Sequence, residues 1–218
     1  MNIDAEIVGV VWLSLRVSII AALIGLAIGA PTGAWICMLP DQRRRIWLAI
    51  FSTLLAVPTV VVGLLVYMLL SRSGPLGALE LLFTPTAITV AQAFITLPVV
   101  TVFAYRACAE PWTHYGEALR LDIRERWKQS VHLLRMARAG IVMAFLVAFG
   151  RAISEVGAVM IVGGNIKGAT RVMTTAITLE TRQGNFSLAV ALGLVLLAIS
   201  FAVTLATWAI AQGRGDKV

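Results

Sequence analysis

The chain has 218 residues, of which 59% are hydrophobic and only 13% are charged, whereas soluble domains contain about 45–50% apolar and about 25% charged residues. A soluble fold of this length cannot bury so much apolar surface, so the composition excludes a soluble globular protein and indicates an integral membrane protein. The net charge of +7 comes from basic residues between the apolar runs, which is typical of membrane topology and needs no nucleic-acid partner.

Five apolar segments are long enough to cross a bilayer, which takes about 20 residues. Four of them contain no Asp, Glu, Lys or Arg: residues 17–40, 46–71, 81–105 and 183–213. The fifth, 139–166, contains Arg151 and Glu155 as its charged residues. The sequence therefore predicts an all-α integral membrane protein with five transmembrane helices. Pro58 and Pro98 each predict a bend, because proline removes a backbone donor.

The N-terminal apolar stretch is longer than one span. Residues 7–39 are almost continuously apolar, and as a helix they would extend about 50 Å, well beyond a hydrocarbon core of about 30 Å. We therefore expect residues 3–15 to form a helix on the outer surface, with the first span beginning near Val17. Within that span Gly25, Gly29 and Gly33 form a small-residue face that favours close contact with another helix.

The distribution of basic residues predicts the orientation. The chain begins with Asp4 and Glu6 and without the basic leader of a cleavable signal peptide. With five spans and an outside N-terminus, the inner segments (41–45, 106–138 and the C-terminal tail) carry twelve Lys and Arg, against five in the outer segments. Basic residues are enriched in cytoplasmic loops, so we expect the N-terminus outside and the C-terminus in the cytoplasm.

The loop 108–138 is the only sizeable polar segment. Its apolar residues recur at helical spacing, and a basic stripe lies beside them. The apolar stripe comprises Leu119, Ile123, Trp127, Val131 and Leu134, and the basic stripe Arg120, Arg124 and Lys128. Two interpretations fit such a helix: it lies on anionic lipid, or it docks a soluble partner.

Three blocks of this sequence resemble ABC importer permeases. Glu117-Ala118-Leu119, followed by Arg126-Trp127 and by 134–140, resembles the "EAA" loop of that family. The blocks 148–165 and 171–181 are together similar to the molybdate, tungstate and sulfate permease group, and the second block is most similar to tungstate permeases. Leu119 and Ile123 stand where the family usually has Ala and Gly. Since Gly would break the helix there, we expect the helix to continue through Ile123.

The resemblance implies a type I ABC importer-like transmembrane domain. It covers residues 8–212 of a single domain, 1–218, whose cytoplasmic coupling loop is 108–138. Implied partners are a second copy of the chain in a homodimer, a dimer of ABC ATPase subunits, an extracytoplasmic substrate-binding protein and membrane lipid, but no nucleic acid. The implied location is the cytoplasmic (inner) membrane of a bacterium or archaeon. The residues implied to couple to the ATPase are Glu117, Ala118, Leu119, Arg120, Ile123, Arg124 and Trp127.

The implied substrate is a tetrahedral oxyanion, with tungstate favoured and molybdate or sulfate as alternatives. A secondary transporter or channel is the alternative of a different class, but it would need its own coupling-ion site within the spans. Candidate pathway or gate residues are Arg151, Glu155, Asn165, Thr170, Arg171 and Thr174. For the polar ones the alternative is an ordinary outer loop.

Arg151 and Glu155 are four residues apart, which places them on one face if the helix is continuous. They are expected either to form a salt bridge that fixes packing or to act as a gate, with Glu155 repelling a dianion while the pathway is closed.

The sequence gives no sign of an enzyme. A phosphate-binding loop needs Gly-x4-Gly-Lys-Ser/Thr, and the nearest segment, Gly163 to Thr170, has Ala169 where the motif requires lysine. Cys37 and Cys108 have no metal-ligand spacing, and His114 and His132 are isolated. We expect no cofactor, no metal and no ATP hydrolysis by this chain itself.

Overall fold

The computed structural model describes the backbone of residues 3–215 and the side chains of 6–212. Within these residues the chain forms helices and no strands. They are α1 (Ile3–Cys37), α2 (Asp41–Ala56), α3 (Thr59–Leu70), a 3₁₀ turn (Gly77–Leu79), α4 (Pro85–Asp122), α5 (Arg126–Met136), α6 (Arg138–Ile153), α7 (Gly157–Gly163), α8 (Met173–Arg182) and α9 (Phe186–Gly215). Over the described part of the chain, the all-α prediction is confirmed.

Three helices are each long and apolar enough to cross a membrane, namely those that contain 6–37, 85–122 and 186–212. Two further candidates are bent pairs: α2 with α3, bent by 94°, and α5 with α6, bent by 82°. The α2–α3 bend lies at Val57 and Pro58, as the proline predicts. By contrast, α4 continues through Pro98 as one helix.

The separate surface helix predicted for residues 3–15 is wrong. α1 runs unbroken through Arg16 to Cys37, and its first turns pack on the segment before α8 and on the first residue of α8. Glu6 Oε2 lies 2.8 Å from Lys167 Nζ, and Ser14 Oγ accepts a hydrogen bond from the Met173 backbone N–H at 2.7 Å. These contacts hold the first turns in line with the rest of α1, and no proline lies among them to break the helix.

α1 and α4 pack side by side in the same direction. A Cβ added to Gly25 would lie 2.6 Å from Thr96 Oγ1, and one added to Gly33 would lie 2.6 Å from the Thr101 carbonyl oxygen. Contacts that advance together along both helices mean that the helices are parallel. The close approach needs residues without side chains, so the predicted role of the glycine face is confirmed.

The helix predicted over 139–166 is broken. α6 ends at Ile153 and α7 begins at Gly157, because side chains satisfy the backbone groups that the break leaves free. Gln92 Nε2 donates to the Ala152 carbonyl at 2.9 Å, and Thr174 Oγ1 donates to the Glu155 carbonyl at 2.7 Å. Arg151 and Glu155 therefore do not share one continuous helix.

The helix expected to continue through Ile123 also ends. α4 stops at Asp122, and Ile123 is extended, with φ −125° and ψ 107°. The buried Gln129 explains the turn, because its Nε2 donates to the Ile123 carbonyl at 2.6 Å. Gln129 of α5 thus stabilises the end of α4 at the position where related loops usually have a glycine.

Candidate functional site

The end of α4 and the start of α5 form an exposed surface, residues 115–128, which we call the α4–α5 surface. Its largest exposed apolar side chains are Leu121, 87% exposed, Trp127, 66%, and Tyr115, 55%. Leu119 and Ile123 are half-buried. The predicted apolar stripe therefore omitted Leu121 and Tyr115, two of the most exposed apolar side chains at this end of α4.

Polar and basic groups surround these apolar side chains. Glu117, Ala118 and Arg124 are exposed. The Arg120 guanidinium lies over the Trp112 ring, 5.0 Å from its centroid. Lys128 pairs with Glu125 and lies 5.5 Å from the Trp127 ring centroid. An apolar centre with a charged rim is the composition of a protein-docking surface.

A second region, the broken-helix cleft, has a volume of about 660 Å³ between α2, α3 and α4. Its walls are mostly aliphatic, and among its described lining residues the charged one is Arg151. Arg151 Nη1 lies 3.4 Å from Glu155 Oε2, so the sequence-predicted pair is formed across the α6–α7 break. The Arg151 side chain is 44% exposed and that of Glu155 only 3%. The cation therefore faces the cleft and the carboxylate faces the protein.

Glu155 also holds the start of α7. Its Oε1 accepts a hydrogen bond from the Ala158 backbone N–H at 3.2 Å, which satisfies one of the free donors at the helix start. Next to this cap, a Cβ added to Gly63 would lie 2.6 Å from Ala158 Cα. The α6–α7 break is thus packed directly on α3, beside the α2–α3 break.

The polar residues of 164–183 divide between two places. Thr174 binds the Glu155 carbonyl and so belongs to the α6–α7 break. Thr170, fully buried, binds the Gly163 carbonyl and the Ile166 N–H, so it holds the turn in which Asn165 has a positive φ of 52°. Arg171 Nη1 lies 3.6 Å from Glu6 Oε1 and lines a different cleft from Arg151.

Comparison with known proteins places these features in a wider group. A family model described as "Binding-protein-dependent transport system inner membrane component" matches residues 21–214. The chain is 38% identical over 203 residues to the "Tungstate uptake system permease protein TupB" of Peptoclostridium acidaminophilum, covering 93% of this chain and 89% of that protein. It is 40% identical to the "Probable anion ABC transporter permease protein" of Haloferax volcanii, covering 90% and 87%.

Among solved structures, one of the MetNI methionine ABC transporter in inward-facing conformations matches with a TM-score of 0.66. The match covers 96% of this chain and 99% of that chain at 18% identity. At this identity the likeness concerns the fold alone.

Proposed function

The chain belongs to the family of binding-protein-dependent transport system inner membrane components, and from that premise we propose that it is the permease subunit of an ATP-driven tungstate importer. The observation that carries the proposal is the α4–α5 surface. α4 has 38 residues and a length of about 57 Å, so it exceeds a hydrocarbon core of about 30 Å and can present Leu121 and Trp127 well beyond the membrane.

Tungstate is proposed because a relative that shares 38% of its residues over most of both chains carries that name. Molybdate and sulfate are tetrahedral dianions as well, and they remain the alternative substrates. The broken-helix cleft supports an anion of this kind, since Arg151 offers one cation among aliphatic walls. A single cation attracts a dianion without holding it tightly, as a pathway requires.

We propose five membrane crossings with the N-terminus outside. Because α1 and α4 are parallel, the chain between them must return across the bilayer. We therefore count the α2–α3 pair as one broken span. α6 is antiparallel to α4, since its start packs near Cys108 and its end binds Gln92. α9 begins beside the start of α1, where Leu188 lines the same cleft as Glu6. These directions support the topology, and the basic α4–α5 surface supports the cytoplasm as its side.

The α4–α5 surface is proposed to bind a separate ABC ATPase subunit. Leu121 and Trp127 would enter an apolar pocket, while Glu117, Arg120 and Arg124 would pair with its rim. Two copies of the chain would present two such surfaces to an ATPase dimer. An extracytoplasmic binding protein would deliver the substrate at the opposite end. Closure of the ATPase dimer can then bias the permease between two states, provided that it binds the two surfaces differently in each.

The Arg151–Glu155 pair is proposed as a gate. The buried Glu155 carboxylate repels a dianion at the break, and Arg151, facing the cleft, offsets that charge. The structural alternative, a salt bridge that only fixes packing, draws support from the cap that Glu155 forms on α7.

Uptake by proteoliposomes tests the function. The permease, reconstituted with its proposed partners, an ABC ATPase and a substrate-binding protein, is expected to accumulate tungstate only with ATP, and to prefer it over molybdate and sulfate when the three compete. Preference for molybdate or sulfate would change the substrate but keep the class. Uptake by the permease alone, driven by an ion gradient, would instead identify a secondary transporter.

A further inference from the structure

The first turns of α2 carry an unusual charge arrangement. α2 begins with Asp41 and Gln42, and Arg43, Arg44 and Arg45 follow them. Cations at a helix N-terminus oppose the helix dipole. Arg44 is paired with Asp41, whereas Arg43 and Arg45 are exposed and have no ion-pair partner among the residues that the structure describes. The start of α2 therefore carries positive charge that an anion from another molecule could neutralise.

One of these free arginines stands at the head of an exposed apolar stripe. Ile46, Ile50 and Leu54 are 53%, 45% and 45% exposed, and their spacing from Arg43 places all four on one helical face. We call this face the α2 stripe. A neighbouring face, about a quarter turn around the helix, contains Phe51 and packs against Val102 of α4. Arg45, two residues from Arg43, projects about 200° around the helix and lies off the stripe.

Two features of the α2 stripe suit a phospholipid. From Arg43 to Leu54 the stripe is about 16 Å long, close to the length of an acyl chain in one leaflet, about 15 Å. Beside the arginine, Trp47 packs edge-to-face on Trp35 with ring centroids 5.7 Å apart, and the two indoles are 38% and 36% exposed. Tryptophan is enriched at the headgroup level of membranes.

We propose that the α2 stripe binds one anionic phospholipid, with its phosphate on Arg43 and an acyl chain along Ile46 and Ile50 that ends at Leu54, on the edge of the broken-helix cleft. The proposal rests on the proposed placement of the chain in a bilayer and not on which ion is transported. A second copy of the chain fits less well, because a two-fold axis along the membrane normal would bring Arg43 against the partner copy's own Arg43 stripe and set like charges together.

Native mass spectrometry of the full chain, purified in detergent with added phosphatidylglycerol or with phosphatidylcholine of the same acyl chains, tests the proposal. We expect retained phosphatidylglycerol at a stoichiometry of about one per chain and little phosphatidylcholine. Arg43→Gln should lower the retained fraction about tenfold. Arg45→Gln, which removes the same charge from the same turn but off the stripe, should change it less than twofold.

Several results would overturn the proposal. Equal losses in R43Q and R45Q would mean that the anionic lipid responds only to the general positive field. Equal retention of phosphatidylcholine would remove the role of charge, and loss of the adduct on adding millimolar inorganic phosphate would identify a free-phosphate site. If R43Q does not insert, Arg43→Lys and Ile50→Asn replace it: R43K should keep retention within about threefold, and I50N should lower it. The readout requires no transport, so failure here leaves the proposed function untouched.

Discussion

Two of the turns that the structure describes, at 123–125 and at 154–156, contain neither glycine nor proline and are stabilised in different ways. At the first, one buried side chain from the following helix, Gln129, binds the free carbonyl, and the apolar side chains nearby point outward. At the second, three elements contribute: Gln92 from α4, Thr174 from α8, and the Glu155 side chain itself. The turn at 123–125, with one side-chain hydrogen bond, leaves its neighbouring side chains exposed for contact with a partner. The turn at 154–156, with three such bonds, is part of the packed core.

The largest expected effect is on binding of the ATPase subunit to the exposed turn at 123–125. Leu121→Asp should weaken binding of the ATPase subunit by about 2–4 kcal/mol, or 30- to 1,000-fold, because a charge would enter a buried apolar contact. Since Leu121 is 87% exposed in the chain alone, the variant should still insert and fold. Co-purification and stimulated ATPase activity are the measurements. Met136→Asp, at the far end of α5 and 43% exposed, is the matched control, and equal losses in both variants would contradict the assignment.

The buried turn is tested with two variants of Glu155. Glu155→Gln keeps an oxygen that can accept the Ala158 N–H and removes the charge, whereas Glu155→Ala removes both. Loss of the cap should cost E155A about 0.5–2 kcal/mol of stability relative to E155Q, seen as a lower thermal midpoint in detergent. A gate predicts that E155Q assembles with ATP hydrolysis uncoupled from uptake. An intact E155Q complex with normal coupling would exclude the gate and leave the packing role.

The smallest expected effect comes from removing one side-chain hydrogen bond at each of the two turns. Gln129→Leu leaves the Ile123 carbonyl without its partner, and we expect a loss of about 1 kcal/mol, since water can reach this exposed turn. Hydrogen exchange should increase over 119–126 and stay unchanged over 150–160. Gln92→Leu, which frees the buried Ala152 carbonyl, should reverse that pattern. The same exchange profile in both variants would show that the two turns are not independent.

Much of the fold could be predicted from local pattern. The apolar runs predict the helices, Pro58 predicts a bend, and the glycine spacing of α1 predicts a close helix contact. The breaks at 123–125 and 154–156 could not be predicted, because the side chains that stabilise them lie far away in sequence or follow the turn. Gln92 and Ala152 are 60 residues apart.

The site shows the same limit. Residue type and spacing predicted the Arg151–Glu155 contact, but not that one side chain faces a cleft while the other is buried, which depends on how α3 packs on α7. Likewise, the surface helix predicted for 3–15 failed because its stabilising contacts, from Lys167 and Met173, come from the other end of the chain. Helical periodicity also favoured Leu119 and Ile123 over Leu121, because spacing alone does not show which face of α4 is exposed.

The unbroken length of α4 has a mechanical meaning. α4 carries Leu121 near its C-terminal end and Gln92, whose side chain binds the end of α6, about 44 Å away along its axis at 1.5 Å per residue. Neither Pro98 nor Pro111 divides it into separate segments. Displacement of the C-terminal end of α4 would therefore move the whole helix. The hydrogen bond from Gln92 to the Ala152 carbonyl would transmit that movement to the buried turn.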